Sequence, residues 1–154
     1  MSDNSELILL GGSGNGKTEF YDELNSELTS KCRFVEGLSF NTSVTDIHKI
    51  IIHHLYEYRK KHMEELMQKY EKLVKEGLTA KRNNVIHRAL KIGSVETLIV
   101  STVFHTKPQF KNILKMLEEA KKTSCKIEFA MSPKIIKKLE IDDSVLAILR
   151  YKIK

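Results

Sequence analysis

The feature that most constrains this chain is an absence. From residue 44 to residue 76 no glycine or proline interrupts a helical pattern. Val44, Ile47, Ile51, Leu55, Tyr58, Leu66, Tyr70, Leu73 and Val74 recur at helical spacing. Ser43 followed by Asp46 resembles a capping box, and Gly77 is placed to end the helix. A helix of that length spans about 50 Å at ~1.5 Å per residue. That exceeds the usual length for a compact domain. A chain of 154 residues suffices for one ordinary domain or two very small ones. The pattern therefore predicts two lobes joined by the helix, with the polar stretch "RKKHMEE", residues 59–65, as the exposed bridge.

Before the helix, "ELILL" reads as a buried strand that ends at a double glycine. Phe20, Leu24 and Leu28, four residues apart, predict one apolar helix face between Thr18 and about Ser30. "KCRFVE" reads as a second strand, so the segment is a βαβ unit with two parallel strands. After Gly77 helix and strand alternate. "NNVIHRALKIG" is a helix with Ile86, Ala89 and Leu90 on one side, and "VETLIVS" a strand. "KPQFKNILKMLEEAKK" is a helix with Phe110, Ile113, Leu114, Leu117 and Ala120 inward, and "CKIEFAM" a strand. "SPKIIKKLE" is a helix with Ser132 as N-cap and Pro133 at its first position, and "VLAILRYKI" closes as a strand. Such alternation predicts an α/β sandwich with a parallel-rich sheet covered by helices.

Charge is unevenly spread. Residues 1–40 carry three cations and seven acids, a balance of −4; the remainder carries 23 cations and 13 acids, +10. A basic body suits a nucleic-acid or ribosome surface. No run of ~18 apolar residues predicts a membrane span, and "MSDNSE" lacks the basic start and apolar core of a secretory signal. Cys32 and Cys125 stand in separate apolar runs and read as buried, reduced thiols of a cytoplasmic protein, with a disulfide as the alternative.

One motif points to an enzyme. Gly11, Gly16, Lys17 and Thr18 fit the P-loop pattern G-x-x-x-x-G-K-[ST], between a strand-like and a helix-like run. Glycines let backbone amides approach phosphate, and lysine adds a point charge. Against this, the later strands end in Ser101, Ala130–Met131 and Tyr151, none an acid that would hold magnesium. "CRFVE" ends in Glu36, but between Arg33 and Gly37. Two strands are also few for a nucleotide domain, and the loop lies in the acidic part of the chain.

The segments "GGSGNGKTEF", residues 11–20, "ALKIGSVETLIVS", residues 89–101, and "AILRYKI", residues 147–153, together resemble the archaeal and eukaryotic class-1 peptide-chain release factor family, which includes Pelota-related proteins. "GGSGNGKTEF" is similar to the family's G-G-P-G-x-x-K-x-x-F through Gly11, Gly12, Gly14, Lys17 and Phe20, with Ser13 in place of proline. Gly16 and Thr18 depart from the family in the direction of a P-loop. "ALKIGSVETLIVS", residues 89–101, resembles A-L-x-x-G-A-V-E-T-L-L-V, and "AILRYKI", residues 147–153, resembles the closing A-I-L-R-[FY]. The resemblance implies that residues 1–42 match the second half of the family's middle domain. Residues 43–77 would be the connecting helix, and residues 78–154 a C-terminal domain shaped like the kink-turn-binding ribosomal proteins. It further implies a translational GTPase as partner of that C-terminal domain. The family's G-G-Q motif and codon-reading domain find no counterpart in this sequence, whose single "GG" is followed by Ser13. The chain is expected to be a fragment of a longer factor or a truncated relative. Its partial middle lobe is too small for a secure core and is expected to pair with itself or with missing sequence.

The kink-turn binders carry G-x-N-E-x-x-K. Asn84 and Arg88 match, but Arg82 replaces the glycine and Val85 the glutamate. Lys81, Arg82, Arg88 and Lys91 can still make salt-sensitive phosphate contacts; the alternative is a solvated basic face. His48, His53, His54 and His62 cluster on the long helix, but no two stand four apart, so packing is weighed above zinc ligation. Glu57–Lys61 and Glu65–Lys69 are expected helix pairs, and "IDDS", residues 141–144, a polar turn. The leading expectation is a non-catalytic, release-factor-like binding module at the ribosome or ribosomal RNA, with no cofactor or metal. The alternatives are a small P-loop NTPase or kinase and a basic RNA-binding module.

Overall fold

A computed structural model describes residues 7–153; residues 1–6, which carry the reading of "MSDNSE", and Lys154 lie outside the described residues. The expected long helix is α3, Val44–Glu76. At its start Ser43 Oγ accepts the Asp46 N–H at 3.1 Å, and the Ser43 hydroxyl donates to the Asp46 carboxylate at 2.8 Å. That hydrogen bond, followed by the one from Lys49, holds the Asp46 carboxyl below its ordinary value. At the other end Gly77, at φ 68°, donates to Val74 O, and Leu78 donates to Leu73 O. This is the Schellman pair of bonds that stops a helix. The chain forms two compact units that divide within α3, the first ending at Arg59 and the second beginning at Lys60. Among the described residues no helix is long and apolar enough to cross a membrane.

In the first unit β1, Ile8–Gly11, pairs in parallel with β2, Cys32–Val35, so the predicted βαβ crossover forms. The crossover is two helices rather than one: α1, Gly16–Asp22, and α2, Ser26–Lys31. Asn25 explains the break. Its side chain accepts the Leu28 N–H at 2.9 Å and caps a new helix, offering the backbone an alternative to continuing α1. The break dissolves the expected apolar face, and Phe20 is left exposed. Among the described residues of this unit only Cys32 and Val35 are buried apolar side chains.

Both clusters of buried apolar residues lie in the second unit. Its elements are β3, Thr79–Ala80; α4, Asn83–Lys91; β4, Val95–Ser101; α5, Phe110–Lys122; β5, Lys126–Ala130; α6, Pro133–Glu140; and β6, Val145–Leu149. A 3-10 turn at Phe104–Thr106 precedes α5. The sheet order is β3-β6-β4-β5. Strand side chains alternate between the faces. Leu98, Val100, Val145, Ala147 and Leu149 pack with α4 and α5, while Ile99, Leu146 and Ile148 pack with α6 and with Met63, Met67 and Tyr70 of α3. The result is a helix–sheet–helix sandwich, and a sheet covered on both faces accounts for the continuous apolar runs in β4 and β6. On α5 Ile113, Met116 and Ala120 are buried, whereas Leu114, expected inward, is exposed.

The expected parallel-rich sheet is corrected. Only β4–β5 is parallel; β6 runs antiparallel to β4, and β3 antiparallel to β6. The connection explains it. The ends of β4 and β5 and the start of β6 converge, since Thr102 N donates to Ala130 O and Ser101 N to Ser144 O. The eight-residue α6 and a tight turn with Asp143 and Ser144 at φ 58° and 68° return the chain at the end it left, with no run back along the sheet. The segments 89–101 and 147–153 meet at the opposite end. Arg150 donates to Gly93 O at 2.9 Å and to Ser124 O at 2.5 Å, and the Tyr151 hydroxyl donates to Ile92 O at 2.8 Å. Ser94 Oγ donates to Tyr151 O at 3.0 Å. Two of the three family-like segments thus lock one another across the α4–β4 turn.

Candidate functional site

Two places carry candidate chemistry. The first is the glycine turn between β1 and α1, where Gly14 takes φ 73°. Of the four P-loop positions, Gly11 lies under the Leu38 side chain, into which an added Cβ would run. Lys17 Nζ lies 3.2 Å from both carboxylate oxygens of Glu36, just beyond β2. The Thr18 N–H donates to Asn15 O at 2.9 Å. Space around Gly16 is open. Glu36 is where sequence reasoning placed a lone strand-end acid, and its charge goes to Lys17.

The second place is the α4–α5 face of the sandwich. Between Glu76 and Glu96 the chain carries Lys81, Arg82, Arg88 and Lys91 and no acid. All four are exposed, and Lys81 lies 3.8 Å from Asp142. Arg82 stands at the N-terminus of α4, and Arg88 and Lys91 are in its last turn. A cavity of about 370 Å³ opens between the two helices, lined by Asn83, Asn84 and His87 of α4 and Asn112, Lys115 and Met116 of α5. The Asn84 side-chain oxygen Oδ1 accepts the Val85 N–H at 2.9 Å. Asn83 Oδ1 is buried without a hydrogen-bond partner. Hydrogen bonding from Lys122, then its charge, holds the Glu119 carboxyl below its ordinary value, with His87 and Lys91 adding to the effect. Sequence reasoning found the cations. It missed Asn112, the one amide side chain of α5, because only helix packing brings Asn112 and Asn83 to the same cavity; the one local hint is the pair Asn83–Asn84 with His87 one turn on.

Among the described residues no group of three His, Cys, Asp or Glu could hold a metal ion. His62 Nε2 lies 3.4 Å from Glu128 Oε1. Lys69, expected to pair with Glu65, reaches Glu96 at 2.6 Å instead. Cys32 is a buried free thiol and Cys125 a half-buried one, with the Cys125 thiol pushed up by burial.

The architecture defines a class. Over both units the chain has the fold of Pelota-type proteins and of an archaeal translation termination factor. A ribosome-bound archaeal Pelota, in a structure with ABCE1, is 20% identical, with a TM-score of 0.70 over 98% of this chain and 45% of that one. Dom34 of S. cerevisiae, a translation termination-like factor involved in RNA quality control pathways and interacting with Hbs1, is 12% identical, with a TM-score of 0.69 over 98% of this chain and 48% of its own. The archaeal termination factor aRF1 is 18% identical, with a TM-score of 0.51 over 95% and 43%. The chain therefore spans under half the length of these three structures. No protein-family model and no curated protein matches the sequence.

Proposed function

We propose that this protein acts as a non-catalytic binding module in translation termination or ribosome rescue, in the cytoplasm. The observation that carries the reading is a fold shared along 98% of the chain with a ribosome-bound Pelota. Residues 1–42 stand for the second half of a middle domain, 43–77 for the connecting helix and 78–154 for the C-terminal domain. The C-terminal domain offers a surface to a translational GTPase, in line with a Dom34 that interacts with Hbs1. Lys81, Arg82, Arg88 and Lys91 supply phosphate contacts to ribosomal RNA. Residues 1–42, with exposed Phe20, Phe34 and Phe40 beside a two-stranded sheet, supply a self-association or docking surface. The sequence contains no G-G-Q; its single double glycine is followed by Ser13.

Co-sedimentation with ribosomes at several salt concentrations tests this reading. The protein is expected in the ribosomal pellet at low salt and depleted from it as salt rises. The rival reading, a P-loop NTPase or kinase on Gly11, Gly16, Lys17 and Thr18, is tested by melting with magnesium and ATP or GTP. A ligand at ~100 Kd would add about 2.7 kcal/mol of stability; no shift is expected. A clear nucleotide shift without ribosome binding overturns the proposal.

A further inference from the structure

The geometry points to β5 as a pairing edge for a second copy of this chain: two β5 strands align antiparallel about Ile127 and join the sheets of the two copies into one. Such pairing does not depend on any role at the ribosome.

β5, Lys126–Ala130, ends the sheet order β3-β6-β4-β5, so one side of it has no strand neighbour among the described residues. Thr102 N donates to Ala130 O, which turns the Ala130 carbonyl toward β4. The backbone groups of successive strand residues point to opposite edges, so Lys126 and Glu128 also face β4. Ile127 and Phe129 then direct their N–H and C=O groups to the open side. Such a row is a template for another strand. The other end of the sheet offers much less, because β3 is two residues long.

The side chains of this edge complement a copy of themselves. Ile127 pairs with Leu98 and Phe129 with Val100, so both belong to the face covered by α5. Cys125 packs against the same cluster. Lys126 and Glu128 lie on the other face. From 125 to 129 the segment "CKIEF" reads apolar, cationic, apolar, anionic, apolar. Turned antiparallel about its centre, it sets Ile127 opposite Ile127 of the second copy. Lys126 then falls opposite Glu128 of the second copy, and Cys125 opposite its Phe129, each pairing occurring twice. Opposite charges directly across two strands are favourable and like charges are not. A slip must move two residues to keep the faces matched, and it sets Glu128 against Glu128 or Lys126 against Lys126. Lys126 is exposed, and among the described residues it has no ion-pair partner. A lone edge lysine repels foreign strands; the acid two residues on cancels that repulsion in this one register. Glu128 lies 3.4 Å from His62 Nε2.

Apolar surface borders the same edge. Asn112, Lys115 and Met116 line the cavity toward α4. Leu114 stands about 100° round α5 from buried Ile113, in the sense opposite to Asn112, and so lies on the flank away from α4. α4 packs over β4 and β6 and α5 over β5, which puts that flank at the open side. Leu114 and Phe129 are 42% and 44% exposed there. A second copy covers both, because its own α5 arrives on the same face of the joined sheet.

Sedimentation velocity of the full chain over a concentration series tests the pairing. The parent is expected to form a reversible dimer. Lys126→Glu and Glu128→Lys each set like charges opposite one another twice, and each is expected to weaken self-association about tenfold or more. An equimolar mixture of the two variants is expected to associate again, since one brings two acids and the other two lysines. The double variant Lys126→Glu/Glu128→Lys is expected to dimerise like the parent. Neither position belongs to the buried apolar clusters, so the variants are expected to keep the parent's circular dichroism. In the parent, amide exchange at Ile127 and Phe129 is expected to slow as protein concentration rises. A strict monomer up to about 1 mM overturns the pairing. Exchange at those two amides that ignores concentration overturns it without any variant. A dimer indifferent to both single substitutions, or a variant mixture that stays monomeric, also overturns it and assigns any association to another surface, such as residues 1–42.

Discussion

Arg150 offers the sharpest test of how the second unit is held together. Its guanidinium joins Gly93 O, at 2.9 Å, to Ser124 O, at 2.5 Å, tying the α4–β4 turn to the α5–β5 turn. Arg150→Met keeps the aliphatic stem and deletes both bonds. Hydrogen bonds to charged groups contribute about 1.5–3 kcal/mol each. Arg150 is exposed, however, and water replaces part of what is lost. The pair is therefore expected to be worth about 2 kcal/mol in total, less than two fully buried bonds. For a domain of roughly 60–100 residues each kcal/mol shifts Tm by ~4–8 °C, so a fall of about 8–16 °C is expected. Circular dichroism melts measure it, and hydrogen exchange localises it. The Arg150 N–H, which donates to Ser94 O at 2.8 Å, is expected to exchange faster in the variant. Arg150→Lys, with a point charge in place of a fork, should recover at most half of the loss. Adding Tyr151→Phe, which frees Ile92 O on the same turn, should cost less than the sum of the single changes. A variant that melts like the parent, with unchanged exchange at Arg150, refutes the reasoning and leaves the guanidinium free for a binding role.

Two further predictions concern local chemistry. Gly77→Ala forces an L-residue to φ 68° at the end of α3; about 1–2 kcal/mol should be lost in urea titrations, and Gly77→Asn should lose less. The Cys125 thiol keeps its proton to higher pH than a free cysteine because it is half-buried. The unfolded chain therefore ionises first, and stability falls as pH rises through and beyond the ordinary thiol range. Alkylation by iodoacetamide at mildly alkaline pH should be slower at Cys125 in the native protein than in urea; equal rates would contradict the burial.

Short-range signals were legible in the sequence. The caps Ser43 and Gly77 and the absence of glycine or proline between them specify α3, because each acts within one turn of the chain. The apolar runs "VETLIVS" and "VLAIL" mark β4 and β6, since strands buried on both faces have no polar side to show. The motif segments were visible as well, but their purpose was not. Arg150 and Gly93 are 57 positions apart, and no local pattern says that one holds the other.

What the sequence by itself determined is therefore most of the elements, the caps of α3 and which lobe is basic; the break between α1 and α2 and the short β3 were not legible in it. The tertiary structure alone decided the direction and place of β6, the commitment of Lys17 to Glu36, and the gathering of Asn83 and Asn112 at one cavity. Each depends on contacts between distant segments. Helical hydrogen bonds close within four residues, whereas sheet order and helix packing are chosen by the whole set of surfaces that must be buried together.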